Sequence, residues 1–228
     1  MGTSVEPRIE SLGDAALLVT FGEAVDLGLS RRSRAFADIV ERARWAGEIA
    51  GVGRPVAAHG SVLVPFDAAA LDSGTVSARV REWLARFDPA LADADSGPIR
   101  SIEIPVRYGG AAGPDLEDVA ESHGMSPADV IAIHAATSYE VFFLGFAPGF
   151  AYLGTVSDAI ATPRLDRPRE RVPAGSVAIA GHQTAVYPFS MPGGWRLIGR
   201  TEEVVWDLSR DPPSLLEPGM TVRFVPAR

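Results

Sequence analysis

Three amino acids are absent from this chain of 228 residues: cysteine, lysine and asparagine. Without cysteine there is no disulfide, no thiolate metal site and no cysteine nucleophile. Because all 21 basic residues are arginine, there is also no P-loop lysine, no Schiff-base lysine and no biotin attachment site. Any chemistry with ATP or biotin therefore depends largely on another polypeptide. Glutamine is nearly absent too, and Gln183 is its single example.

Long apolar runs and a basic surplus are missing as well. No run of about 18 apolar residues is present, so no membrane-spanning helix is expected. The first residues lack the basic and apolar regions of a signal peptide, and we expect a cytoplasmic protein. The formal net charge of −8 disfavours a nucleic-acid surface. With 46% hydrophobic residues, the chain has enough apolar content for one large domain or two small ones.

Strand and helix patterns alternate in the N-terminal part of the chain. Two amphipathic helices are predicted, the first beginning at a Ser30 cap and the second bearing an apolar stripe from Val76 to Phe87. Short β-rich runs flank these helices, at residues 15–21, 55–58, 61–66 and 99–106. This order is typical of a small ferredoxin-like α+β domain, which we place at residues 1–97. The acidic run 88–98 is predicted to be a linker, and the last strand is open to assignment to either half.

The C-terminal part begins with two short helices and continues as strands. Asp115 is the predicted cap of the first helix and Ser126 that of the second. The second helix contains no Arg, Lys, Asn or Gln, which disfavours DNA reading by a helix-turn-helix. Strands separated by Gly and Pro turns follow, at residues 139–144, 175–180, 183–188, 195–200, 203–208 and 220–225. Short strands of this kind favour a barrel or a sandwich, in a second domain over residues 98–228.

The segment 139–199 alternates aromatic residues with glycine and proline. Glycine permits backbone angles that other residues avoid and proline fixes one angle, so such a segment shapes a rigid pocket or partner surface. Pro148, Gly149 and Phe150 are the predicted wall of that pocket. The side chains of Phe146, Phe150 and Tyr152 either line the pocket or form core, and core is the more common place for aromatic residues.

An extended loop in the same segment holds four arginines, at residues 164, 167, 169 and 171. Guanidinium groups bind carboxylates and phosphates through paired hydrogen bonds. Arg164 and Arg169 are therefore candidate substrate-binding residues. The alternative is a solvated loop that its own Asp166 and Glu170 neutralise.

A polar triplet follows Gly181 at a strand boundary. The amide of Gln183 and the hydroxyl of Thr184 are candidates for binding an amide or carboxylate ligand. The alternative is that they satisfy backbone groups of the turn. His182 is a candidate general base, although an exposed turn histidine is the more common case.

Patterns for a metal site or an activated nucleophile are not found. The four histidines are far apart and form no His-Glu-x-x-His motif, so no metal site is predicted. No serine lies in a Gly-x-Ser-x-Gly elbow. The catalytic residues are therefore left unassigned.

Short motifs spread over residues 102–225 resemble those of one protein family. Each motif alone is weak, but their order and spacing are specific. They are Ile104–Gly110, Gly113–Leu116, Leu144–Phe150, Tyr152–Gly154, Thr162–Arg164, Val172–Val177, Gln183–Thr184, Tyr187–Pro188, Pro192–Trp195, Leu197–Gly199 and Pro218–Phe224. On these residues the chain resembles the family of the 5-oxoprolinase B subunit, also called allophanate hydrolase subunit 1. That family also includes a sporulation sensor-kinase inhibitor and a segment of urea carboxylase.

The resemblance implies a fold and a shared reaction. The implied fold is a small α+β domain followed by a cyclophilin-like β-barrel. The implied 5-oxoprolinase complex also contains the C subunit, which has a related barrel, together with the A subunit. It uses ATP with Mg to open 5-oxo-L-proline to glutamate, and this chain alone is expected to bind no cofactor. Two departures from the family pattern, Ala151 in place of Pro and Ala185 in place of Gly, affect the wall and the turn that presents Gln183.

Other functions remain open at this point. The same family accommodates an inhibitor that binds a sensor histidine kinase. It also accommodates a subunit of urea carboxylase or allophanate metabolism, which predicts a biotin-bearing partner. A prolyl isomerase is suggested only by the implied barrel.

Overall fold

The computed structural model describes residues 6–94 and 100–227. It contains two compact units, residues 1–97 and 98–228, which are treated separately below. The boundary itself and the last part of the predicted linker lie outside the described residues. Within the described ranges, no helix is long and apolar enough to cross a membrane.

The first unit is a four-stranded antiparallel sheet packed against helices, with the strand order β1-β2-β4-β3. Its elements are β1 (Arg8–Ser11), β2 (Ala16–Thr20), α1 (Leu27–Trp45), β3 (Val56–Ala57), β4 (Ser61–Pro65), α2 (Ser73–Ala85) and α3 (Pro89–Ala94). Alternate residues of β2 and β4, such as Val19 and Val62, are buried with Phe36 and Val40 of α1 and Trp83 of α2. This period of two places one face of the sheet in the core.

The ferredoxin-like arrangement is present with one change of connectivity. Strand β4 lies between β2 and β3, as the third strand does in a split β-α-β unit. The fourth position is filled by β1, a strand that the sequence analysis did not predict. The strand predicted over 99–106, which the sequence left open to either half, pairs in the second unit. Residues 89–94, predicted to be linker, form α3.

Helix α1 begins earlier than predicted. Asp26 is its N-cap, with an extended backbone, and Asp26 Oδ1 accepts a hydrogen bond from Leu29 N at 2.9 Å. Ser30 is buried inside the helix. Serine and aspartate are similarly good N-caps, so composition does not choose between them.

The second unit is built around a closed seven-stranded barrel in the order β10-β7-β6-β13-β5-β12-β9. Strands β5 and β13 pair in parallel, from Ser101 opposite Thr221 to Val106 opposite Pro226, and so join the two ends of the unit. The elements are β5 (Ser101–Tyr108), α4 (Leu116–Ser122), α5 (Pro127–Ala136), β6 (Ser138–Leu144), β7 (Ala151–Gly154), β8 (Arg169–Val172), β9 (Ser176–Ala180), β10 (Gln183–Val186), β11 (Met191–Gly193), β12 (Arg196–Arg200) and β13 (Thr221–Pro226).

The barrel confirms the predicted fold class, α+β with a C-terminal barrel. The capping box of α5, between Ser126 and Asp129, is also confirmed. The strand predicted over 203–208 is wrong, because only Trp206 pairs there, in an isolated bridge with Ser214. Strands β7, β8 and β11 were not predicted. They have three or four residues each, too few for an alternating pattern to be recognised.

Candidate functional site

A pocket of roughly 450 Å³ opens in the barrel unit, inside the segment that the motifs occupy. Its lining combines two aromatic rings, one guanidinium, one side-chain amide and small residues. These are Tyr152, Pro163, Arg164, Ala180, Gly181, Gln183 and Trp195. Two of the predicted substrate-binding residues, Arg164 and Gln183, therefore meet at one cavity.

A larger cavity, roughly 620 Å³, lies in the first unit along α1. Its polar lining alternates guanidinium and carboxylate groups, and Arg86 forms two hydrogen bonds to Glu48, at 2.8 and 3.1 Å. These bonds, with one from Trp83 Nε1, lower the pKa of Glu48 to about 2. Since Arg86 and Glu48 pair with each other and this cavity lies outside the motifs, the barrel pocket is the better candidate site.

The aromatic wall of the pocket is a packed cluster. The buried ring of Phe150 contacts Tyr152, Tyr187 and Trp195 edge-on, at centroid distances of 5.0, 5.3 and 5.5 Å. On its other side Tyr152 stacks on Phe143 at 4.4 Å. Edge-to-face and stacked rings of this kind hold one another in place. Phe150 is thus a support behind the wall, whereas Tyr152 and Trp195 line the pocket.

The turn before Phe150 does not reach the pocket lining. Pro148 is exposed, and Gly149 is buried against Trp206. Gly149 has a φ of +75°, a left-handed conformation that favours glycine. A Cβ at this position would lie 2.6 Å from the Cβ of Trp206. The predicted wall residues therefore shape the turn that carries Phe150 and make no pocket surface themselves.

Gly149→Ala should lower the free energy of unfolding by about 2 kcal/mol, because it adds a steric clash to the cost of a left-handed alanine. The matched control is Gly110→Ala. Gly110 also has a positive φ, +53°, but a Cβ there would meet nothing within 4 Å. The control should cost about 1 kcal/mol. Equal unfolding midpoints in urea for the two variants would contradict the clash.

Arg164 is presented by a loop whose backbone is fixed on both sides. Arg196 Nε donates to Pro163 O at 3.3 Å, and Leu165 N donates to Gly194 O at 2.7 Å. The Arg164 side chain is exposed and makes no hydrogen bond or ion pair within the described part of the chain. Burial raises the pKa of Tyr152, and the nearby charge of Arg164 opposes this shift. The guanidinium is therefore close to the ring and available to an anionic ligand.

Arg169 forms an ion pair inside the barrel unit. Its Nη2 donates to Oδ1 of Asp115 at 2.6 Å, and Oδ2 of the same carboxylate accepts from Leu197 N at 2.6 Å. Asp115 is almost fully buried and is the N-cap residue of α4, as predicted, but its side chain makes no capping hydrogen bond. Arg169 thus ties β8 to α4 and β12, and it is not among the residues that line the pocket. Asp115 was missed as a site-supporting residue, since its position suggested a helix cap.

The polar triplet divides between three environments. Gln183 is half-buried and lines the pocket. Thr184 is fully buried, because neighbouring residues of a strand face opposite sides, and its hydroxyl hydrogen-bonds within the barrel interior. His182 is exposed at the turn, with Nδ1 3.4 Å from both Val156 O and Asp158 Oδ1. The structure therefore brings only Gln183 of the three to the pocket.

A buried histidine, one of the four that form no metal motif, lies behind this strand. His134 Nε2 is 3.0 Å from Thr184 Oγ1, and His134 Nδ1 is 2.7 Å from the Tyr108 hydroxyl. Its ring stacks on Phe224 at 4.8 Å. Complete burial lowers the pKa of His134 to about 3, so the ring is neutral at physiological pH. Burial also raises the pKa of Tyr139, whose hydroxyl donates to His134 O, to about 12.

The pocket is equipped for binding more than for chemistry. Its lining contains no carboxylate, histidine, serine or threonine. Among the described residues, no group of three or more His, Asp or Glu side chains is placed to hold a metal ion. A guanidinium and a carboxamide beside two aromatic rings suit a small ligand that carries a carboxylate, an amide and an apolar body.

Comparison with known proteins identifies the family to which this chain belongs. Residues 7–216 match the family model described as carboxyltransferase domain, subdomain C and D. The Bacillus subtilis (strain 168) protein named as the B subunit of 5-oxoprolinase is 41% identical over 97% of this chain and 93% of its own length. The chain belongs to the 5-oxoprolinase B-subunit family. The resemblance noted from the motifs is thereby confirmed.

Solved structures related to this family member support its fold. The crystal structure of TTHA0988 superposes with a TM-score of 0.77 at 38% identity, over 94% of this chain. This chain spans only 40% of that longer protein. The urea carboxylase of Kluyveromyces lactis superposes with a TM-score of 0.76 at 20% identity, over 97% of this chain and 22% of the enzyme. At that identity the likeness shows a shared fold alone.

Proposed function

We propose that this chain is the B subunit of an ATP-dependent 5-oxoprolinase, which opens 5-oxo-L-proline to L-glutamate. The observation that carries the proposal is the 41% identity to the Bacillus protein over nearly the whole of both chains. The pocket supports it, because Arg164 and Gln183 offer the two polar groups that a lactam with a carboxylate needs. Activity is proposed for the complex, with the chain a non-autonomous part of a cyclic-amide hydrolase.

Within the pocket, each group has a distinct proposed task. The Arg164 guanidinium pairs with the substrate carboxylate, since a fork of N–H donors matches two carboxylate oxygens. The Gln183 side chain hydrogen-bonds the lactam, which has one N–H donor and one carbonyl acceptor. Tyr152 and Trp195 cover the apolar edge of the five-membered ring. Together these contacts fix the orientation of the lactam carbonyl.

The remaining chemistry is assigned to the partner proteins of the complex. ATP with Mg, used by the complex, activates the lactam carbonyl as an electrophile. This chain has no lysine for a P-loop, and the pocket lining has no acid or base. We therefore propose that the A and C subunits supply ATP binding and the reacting groups. The C subunit, with its related barrel, is the proposed direct partner. The complex is proposed to work in the cytoplasm.

Co-expression with the A and C subunits tests this function. The purified complex should release glutamate from 5-oxo-L-proline only when ATP is present. Gln183→Ala and Arg164→Ala should each lower kcat/KM at least about tenfold, because each removes a polar contact to the substrate. His182→Ala, a neighbouring exposed position, is the control and should retain activity.

The outcomes separate the function from the site. A wild-type complex that does not act on 5-oxo-L-proline rejects the function. An active complex that tolerates both Gln183→Ala and Arg164→Ala retains the function but places the substrate elsewhere.

Urea carboxylation is the second candidate, because the urea carboxylase of Kluyveromyces lactis shares this fold. It requires a biotin-bearing partner, since this chain has no lysine to carry biotin. Urea-dependent ATP turnover by a reconstituted complex supports it, and ATP turnover that responds to 5-oxo-L-proline alone rejects it.

A further inference from the structure

The two polar side chains that line the pocket, Gln183 and Arg164, each lie within two residues of a buried threonine. Thr184 directly follows Gln183, and Thr162 stands two residues before Arg164. Both threonines are nearly inaccessible to solvent, at 0% and 4% relative exposure. Buried hydroxyls require hydrogen-bond partners, and in both cases the partners are a histidine and a backbone carbonyl.

The hydrogen bonds of Thr184 have only one consistent set of directions. The hydroxyl donates its single proton to Ala178 O at 3.0 Å, so its oxygen accepts from His134 Nε2–H at 3.0 Å. His134 is neutral, and its Nδ1 therefore accepts from the Tyr108 hydroxyl at 2.7 Å. The result is a directed chain of three hydrogen bonds. It holds Thr184 on the inner side of β10, opposite to the pocket side that carries Gln183.

Thr162 repeats this arrangement at the other polar edge of the pocket. Its hydroxyl donates to Ile160 O at 3.0 Å and accepts from His123 Nε2–H at 3.1 Å. Its backbone carbonyl accepts from Gly181 N at 2.8 Å. Thr162 thus links the loop that carries Arg164 to the turn that leads into Gln183. Both ligand groups are tied to the barrel through a histidine–threonine pair.

We propose that Thr162 and Thr184 are positioning residues that set the distance between the Arg164 guanidinium and the Gln183 carboxamide. A threonine side chain with two directed hydrogen bonds has one χ1 rotamer and fixes the backbone on which its neighbour stands. A pocket whose two polar groups are held at one spacing selects ligands by the separation of carboxylate and amide. This inference rests on the proposed function for the identity of the ligand, but the positioning itself is a property of the free chain.

The composition of the chain provides a direct probe of this positioning. Gln183 is the single glutamine and there is no asparagine, so one side-chain amide pair is expected in a ¹H–¹⁵N correlation spectrum. Thr184→Val removes the hydroxyl at nearly constant shape and should move the Gln183 amide pair. Thr184→Ser keeps the hydroxyl and should restore the wild-type position. An amide pair that stays in place in a folded Thr184→Val protein overturns the proposal.

A second variant tests the proposal if Thr184→Val does not fold. If Thr184→Val does not fold, because His134 loses its acceptor in the core, Thr162→Val takes its place. Thr162 lies against the half-buried His123, and its removal should also move the Gln183 amide pair through Gly181. Thr162→Ser should again restore it. An unmoved pair in Thr162→Val then overturns the proposal.

Kinetics of the assembled complex distinguish positioning from simple stability. Thr184→Val should raise KM for 5-oxo-L-proline about fivefold in an otherwise wild-type chain, and less than about twofold when Gln183 is already alanine. Equal effects in both backgrounds reject action through Gln183. An inert wild-type complex rejects the proposed function alone, since the amide spectrum of the free chain still decides whether Thr184 positions Gln183.

Discussion

Asp115→Ala should lower the free energy of unfolding of the barrel unit by about 3 to 5 kcal/mol, the usual cost of removing one partner of a buried ion pair. The Asp115 side chain is 5% exposed and that of Arg169 is 30% exposed. The substitution leaves the Arg169 guanidinium without its counter-charge. It also leaves the backbone N–H of Leu197 without its acceptor. Chemical denaturation followed by circular dichroism measures the loss.

Two further variants identify the cause of the loss. Asp115→Asn keeps an oxygen for one donor but removes the charge, so its unfolding free energy should lie between those of wild type and alanine. Asp118→Ala is the matched control, because Asp118 is 65% exposed and 3.9 Å from Arg196, and its removal should change stability by less than about 0.5 kcal/mol. Amide exchange at Leu197 should accelerate specifically in Asp115→Ala. Unchanged exchange at Leu197 together with a wild-type midpoint would contradict the role assigned to the pair.

The same ion pair shows where sequence reasoning about the site reached its limit. The arginine-rich loop was recognised, but Arg164 and Arg169 are equivalent in sequence: both are basic, and both stand near prolines. What separates them is a carboxylate about fifty positions earlier, brought beside Arg169 by the fold, at 2.6 Å. Asp115 itself precedes a helix, where aspartate is expected as a cap. Only the three-dimensional pairing reveals its other use.

For the polar triplet, the sequence itself indicates which side chains can face the pocket. Residues 183–188 were predicted to be a strand, and neighbouring side chains of a strand face opposite sides. Gln183 and Thr184 therefore could not both face one pocket, whatever the ligand. The prediction of a shared contact neglected this alternation. The burial of Thr184 and the pocket position of Gln183 follow directly from it.

Fold prediction succeeded where signals are local and was incomplete where pairing is remote. The capping box of α5 and the strand that became β13 were readable because their patterns lie within a few residues. The assignment of β5 to the barrel depends on pairing with β13, more than 100 positions later, which no local pattern encodes. Likewise β1 takes the place expected for a strand after α2, since any antiparallel edge strand satisfies that sheet edge.

Acid should destabilise the barrel unit through His134 as pH falls below 6.5. Burial holds the pKa of folded His134 at about 3, below its ordinary value of 6.5. Below pH 6.5 the unfolded chain binds a proton that the folded chain refuses, so stability is complete above that pH and falls as pH decreases toward 3. At about 1.4 kcal/mol per pH unit, the loss reaches roughly 2 kcal/mol by pH 5. Urea denaturation at pH 7 and at pH 5 measures this difference.

His134→Gln removes the titrating group but keeps a donor for Thr184 and an acceptor for Tyr108. Its stability at pH 7 should be lower than that of wild type, because the stacking on Phe224 is lost, yet its decrease between pH 7 and pH 5 should be smaller by roughly 2 kcal/mol. Glu48, whose pKa is lowered to about 2, belongs to the first unit. It reduces the stability of that unit only as pH falls below 4.5, outside the range from pH 7 to pH 5. A variant with the wild-type decrease over this range would show that folded His134 binds a proton between pH 7 and pH 5 as readily as the unfolded chain does. In that case its Nδ1 would carry a proton and could not accept the bond from Tyr108.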